Sequence, residues 1–98
     1  VGKTLDTINR HKKLLYEQYV EDATFYYNGG RFIATGELMS LLHQLEINSI
    51  VIDEDSIPIR LTDVLEFSSV VKKHYRYATD KYIDQYDSVS KTIRGNSV

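Results

Sequence analysis

Thr62-Asp63-Val64-Leu65-Glu66-Phe67-Ser68-Ser69-Val70-Val71-Lys72-Lys73-His74-Tyr75-Arg76-Tyr77-Ala78-Thr79-Asp80-Lys81-Tyr82-Ile83-Asp84-Gln85-Tyr86-Asp87-Ser88-Val89-Ser90-Lys91-Thr92-Ile93 is the stretch that decides how this chain folds. Phe67, Val71, Tyr75, Ala78, Tyr82, Tyr86, Val89 and Ile93 recur every three or four positions, the period of one helical face and not of a strand. The spacing predicts one amphipathic helix about 45 Å long at ~1.5 Å per residue. A compact chain of this length has a radius of gyration of about 13 Å. The helix is therefore expected to outrun its own domain, with residues 78–98 as a helical extension.

Working outward, the 98 residues make a single domain with one small core, 1–98. With 42% hydrophobic and 27% charged residues the composition is that of a globular chain. A net charge of −2 argues against a nucleic-acid binder that works by overall positive field. The absence of cysteine excludes disulfides, thiolate zinc sites and thiol nucleophiles, and fits a reducing interior. No apolar run approaches the ~20 residues that cross a bilayer. Val1 to Leu5 lacks the plan of a signal peptide, and a start at Val1 leaves room for residues upstream. No membrane partner is expected, and the expected location is cytoplasmic. Tyrosine is the outlier, with eight Tyr against three Phe and no Trp. Its ring and hydroxyl suit the rim of a small core or a protein–protein surface.

Towards the N-terminus, Thr4 is a plausible N-cap for a helix running to Asp22, with Leu5, Ile8, Leu15 and Tyr19 on one face, Leu14 and Val20 beside them, and Lys12 interrupting the stripe. Its charges oppose the helix macrodipole, so packing must hold it. Thr24 to Tyr27, the turn Asn28-Gly29-Gly30 and Arg31 to Ile33 read as a β-hairpin, because Asn-Gly supplies the positive φ angles of a tight turn. Thr35 then caps a short helix from Gly36 to Glu46 with Leu38, Leu41, Leu42 and Leu45 as its core stripe. Ile50 to Ile52, the polar turn Asp53 to Ser56 and Ile57 to Leu61 read as a second hairpin, with Pro58 at an edge or strand end. Shifting the chain by 27 residues lays Phe32 on Ile59, Thr35 on Thr62 and Leu38 on Leu65, so both halves read strand, turn, strand, Thr-capped helix, with Thr62 as the second cap. A duplication would explain this, but so do the shared needs of any hairpin that feeds a capped helix. Gly95 and Asn96 read as a helix stop. The expected fold is α+β in the order helix, hairpin, helix, hairpin, long helix, with the hairpins forming one small antiparallel sheet packed on helices.

No catalytic constellation stands out, and no enzyme activity or cofactor is expected. Asp53-Glu54-Asp55 lacks the alternating ligands, central glycine and distal glutamate of a calcium loop, so no metal is expected. His11, His43 and His74 stand on three helices without ligand spacing. Arg10, Lys12 and Lys13 with Lys72, Lys73 and Arg76 are the candidates for nucleic-acid contact, should the first and last helices face one way. Phe25-Tyr26-Tyr27-Asn28-Gly29-Gly30-Arg31-Phe32 followed by Thr35-Gly36-Glu37-Leu38, with the Tyr/Lys/Asp-rich last helix, resembles small proteins encoded by large tailed bacteriophages. The resemblance covers about half the chain and implies only a setting, that of a phage accessory or virion-associated protein made in bacterial cytoplasm. The favoured reading is a non-catalytic interaction or assembly protein, the alternative a nucleic-acid-associated regulator. Tyr75, Tyr82, Tyr86, Val89 and Ile93 are the expected interface, for a second copy as a dimer or for a larger protein assembly. The competing arrangement lays the first helix antiparallel along the same stripe.

Overall fold

The computed structural model describes the backbone of residues 2–96 and the side chains of residue 7 and residues 9–89. Helix α1 (Gly2–Ala23) leads without a linker into strands β1 (Thr24–Tyr27) and β2 (Gly30–Ile33). Helix α2 (Gly36–Leu41) and one turn of 3-10 helix (Leu42–Gln44) follow, then β3 (Ile50–Ile52), β4 (Pro58–Arg60) and the long helix α3 (Val64–Asn96). The α+β order is the one the sequence predicts.

Local chemistry sets these boundaries. Asn28 and Gly29 take φ of 49° and 83°, the pair of left-handed residues a two-residue hairpin turn needs, so Gly30 joins β2 opposite Tyr27 and is not part of the turn. Thr35 caps α2 as expected, its Oγ1 accepting the Leu38 N–H at 3.1 Å. Three caps and stops differ from expectation. Helix α1 already includes Gly2, so Thr4 lies inside it. Asp63, not Thr62, caps α3: its Oδ1 accepts the Glu66 N–H at 2.9 Å and its carbonyl the Phe67 N–H at 3.1 Å. Gly95 and Asn96 belong to α3, not to a stop after it. Helix α2 also ends sooner than Glu46, because its last turn tightens into 3-10 geometry that drives Leu42 into the core and leaves Leu41 exposed.

The core is one cluster. Phe25 and Phe32 from the first hairpin, Val51, Ile59 and Leu61 from the second, and Phe67, Val71 and Ala78 from α3 are all buried. Phe67 is its centre, with Phe25, Tyr27 and Phe32 ring centroids 6.2, 5.2 and 5.3 Å away. Ala23 and Ala34 are fully buried where the Ala34 N–H donates to the Ala23 carbonyl at 2.9 Å, extending the first ladder beyond its strands.

The hairpins do not merge into the single sheet expected; they form two separate two-stranded ladders. Between them the only strand-like backbone bond among the described residues runs from the Glu54 N–H to the Arg31 carbonyl, 2.9 Å. Asp53 supplies the rest with its side chain. Its Oδ2 accepts the Arg31 N–H at 2.9 Å, and its Oδ1 accepts the Asp55 and Ile57 N–H groups at 2.9 and 2.7 Å. A carboxylate thus stands where a ladder would continue. Close packing adds to the join: a Cβ built on Gly30 would lie 2.8 Å from Cγ1 of Ile59.

Candidate protein interface

Helix α3 continues past this core, and α1 comes back along it. Asp22 meets Lys81, Tyr19 and Tyr16 meet Tyr82, and Lys12 meets Tyr86, so the two helices run antiparallel. The structure therefore has the intramolecular arrangement for the tyrosine stripe, not a bare one. Tyr19 and Tyr82 stack at 5.0 Å, Tyr16 sits 5.9 Å from Tyr19 and 6.4 Å edge-on to Tyr82, and Tyr86 is 6.4 Å edge-on to Tyr82. The Lys12 ammonium lies 5.9 Å from the Tyr86 ring centroid, which explains why a lysine interrupts the apolar stripe of α1.

Polar contacts pin one side of this seam. The Lys81 ammonium pairs with Asp22 at 3.1 Å, and the Gln18 amide donates to the same carboxylate at 2.9 Å. The hydrogen bond to Asp22 holds the Lys81 pKa above its ordinary value despite desolvation. Burial raises the Tyr19 phenol, and neighbouring Tyr75, Tyr16 and Tyr82 push the same way, so it stays protonated well into the alkaline range.

The expected interface residues fall into two groups. Tyr75 is half-buried at the core edge, Tyr82 and Tyr86 are half-buried against α1, and Val89 is half-buried. The side chains of Ile93, Leu5 and Ile8 lie outside the described residues. Sequence reasoning overlooked Tyr16 and Ile83, both more exposed than half and adjoining Tyr82. Their signal was present, since Tyr16 lies three residues before Tyr19, and Ile83 three before Tyr86, each at helical spacing.

The basic residues do not converge. Lys12 is level with Tyr86, whereas Lys72, Lys73 and Arg76 sit roughly 15–21 Å nearer the start of α3. Arg76 also faces Asp80 at 4.0 Å. Arg10, Lys12 and Lys13 thus form one exposed group and Lys72, Lys73 and Arg76 another. Among the histidines, His74 stacks on Phe25 at 5.1 Å, while His11 and His43 are exposed. Asp53 to Asp55 form the join between the hairpins: besides the Asp53 bonds, Asp55 takes the Arg31 guanidinium in two-pronged fashion at 3.0 and 3.2 Å. Among the described residues no three His, Asp or Glu side chains are grouped to hold a metal ion, and no helix is long and apolar enough to cross a membrane. No protein family, curated protein or solved structure matches the chain.

Proposed function

We propose that this chain is a non-catalytic interaction or assembly protein, and that it associates, first with a second copy of itself, through the tyrosine seam of the α1–α3 arm. The observation that carries the reading is that, among the described residues, two helices alone build the arm, which leaves Tyr16 and Ile83 exposed beside the half-buried Tyr82 and Tyr86. Tyrosine fits a surface that is wet in the free chain and covered in the assembly, since each ring brings apolar area and a hydroxyl that water can satisfy. A two-fold axis along the arm would bury one such patch on its like and close the assembly. The setting we propose, from the resemblance to small tailed-phage proteins, is that of an accessory or virion-associated protein acting in bacterial cytoplasm.

Sedimentation velocity across micromolar concentrations tests this. The unsubstituted chain should shift towards twice its mass as concentration rises. Ile83→Lys, on an exposed position, should weaken association at least about tenfold, equivalent to ~1.4 kcal/mol, with an unchanged circular dichroism spectrum. A monomer throughout, or a dimer indifferent to Ile83→Lys, would refute it.

A further inference from the structure

The failure of the two hairpins to merge leaves an open groove at the edge of the core, apart from the tyrosine seam. Strand β2 and the chain just beyond β3 approach edge to edge at Arg31 and Glu54, and β2 and β3 themselves part. Where the next pair of residues would meet, Ile33 and Ile52, a cavity of about 310 Å³ opens, floored by these two with Leu38 and Leu41 and flanked by Glu37 and Glu54. Ile52 is 62% exposed despite its place in a strand.

The groove has a strand edge, an apolar floor and an acidic rim. Ser49 and Asp53, the residues on either side of β3, are bonded across the hairpin to Leu61 and Ile57. By the alternation of an antiparallel ladder the N–H and C=O of Ile52 then point away from β4 and into the gap. Among the described residues no backbone bond from another element meets them. Neither Glu37 nor Glu54 is in an ion pair among the described residues; the Arg31 guanidinium is held by Asp55 and acts on Glu54 only from a distance.

We infer that this groove is a docking site for an extended peptide segment of a partner protein in which apolar residues alternate with lysine or arginine. The segment's backbone pairs with the open edge of β3 at Ile52, as strand addition does elsewhere. Its apolar side chains occupy the floor formed by Ile33, Leu38 and Leu41. Its long cationic side chains reach the rim carboxylates, lying along the apolar surface with their charges in water. The acidic rim selects the sign of the partner; the apolar floor and the strand edge require an extended backbone with side chains on alternate faces.

The test uses the full chain and a fluorescein-labelled Lys-Ile-Lys-Ile-Lys amide. Fluorescence anisotropy should show saturable binding below about 1 mM, and the largest amide shifts in a 15N correlation spectrum should fall at Ile33, Ile52 and their neighbours. Replacing both Ile of the peptide by Ser, or all Lys by Glu, should abolish binding. The double variant Glu37→Lys/Glu54→Lys should weaken it at least about tenfold and Ile52→Ser by a similar factor; both alter exposed side chains, so folding should survive. The inference is overturned by absence of saturation, by equal binding of the Ser peptide, by shifts elsewhere, or by variants that bind normally. If either variant fails to fold, the shift map on the unsubstituted chain decides alone. Concentration-dependent mass that Glu37→Lys/Glu54→Lys abolishes, without peptide binding, would overturn it in favour of a second copy as occupant.

Discussion

Asp53 shows how much a single side chain can organise in a small domain. It is only 7% exposed, in a turn whose neighbours Glu54 and Asp55 are solvated. Burial pushes its carboxyl up, but the N–H donors of Arg31, Ile57 and Asp55 and the Arg31 charge outweigh that, and its pKa lies below the ordinary carboxylate range. A depressed folded-state pKa means the stabilisation is present above the unfolded value of about 3.9 and is lost as pH falls through the folded value. Thermal melts should therefore show Tm falling on acidification below about pH 4, and Asp53→Ala should lower Tm at neutral pH and flatten that acid limb. Gly30 is the second residue at this join, and here shape decides: a methyl there meets Ile59 at 2.8 Å. Gly30→Ala should cost about 1–3 kcal/mol by overpacking, and Ile59→Ala should recover part of that in the double variant, as a double-mutant cycle in urea would show.

Among the elements, α1 depends most on its partners. Its last turn carries Glu21 and Asp22 and no basic residue, against its dipole, so isolated helicity is poor and packing against α3 must supply the difference. Tyr19 and Tyr82 should couple by about 0.5–1.5 kcal/mol in a cycle of Tyr19→Ala and Tyr82→Ala, measured by chemical denaturation. Helix α2 is held at its start by Thr35, and Thr35→Ala should cost about 1 kcal/mol. The similarity of the two hairpin–helix units stops at this level. Leu38 packs on the core, but Leu65, its counterpart 27 residues on, is 85% exposed, and the second helix is capped by Asp63. Equivalent patterns therefore do not make equivalent packing, because the cap moves one residue along, from the Thr35 position to Asp63, which turns the face that each helix presents to its hairpin.

The whole molecule measures 57 × 22 × 18 Å with a radius of gyration of 17.4 Å, well above the ~13 Å of a compact chain of its length. Small-angle scattering at low concentration should return a value near 17.4 Å, and a compact value would contradict the projecting arm. That elongation was legible in the sequence, since the three-to-four residue recurrence from Phe67 to Val89 admits no other regular structure, and a helix rises a fixed distance per residue. The hairpins were legible for a similar reason: Asn28-Gly29 and the strand-forming residues around it satisfy geometric demands that are local in the chain. What covers the tyrosine stripe, and whether the hairpins join, were settled by contacts between residues far apart in sequence. Periodicity marks Tyr82 as facing something apolar without saying whether that is Tyr19 or another chain. Asp53 reads as one more solvated turn residue until the backbone of Arg31, 22 positions earlier, is placed against it. Local geometry is written in short-range pattern; the choice among partners of matching chemistry is made only when the tertiary structure brings distant segments within van der Waals and hydrogen-bond reach.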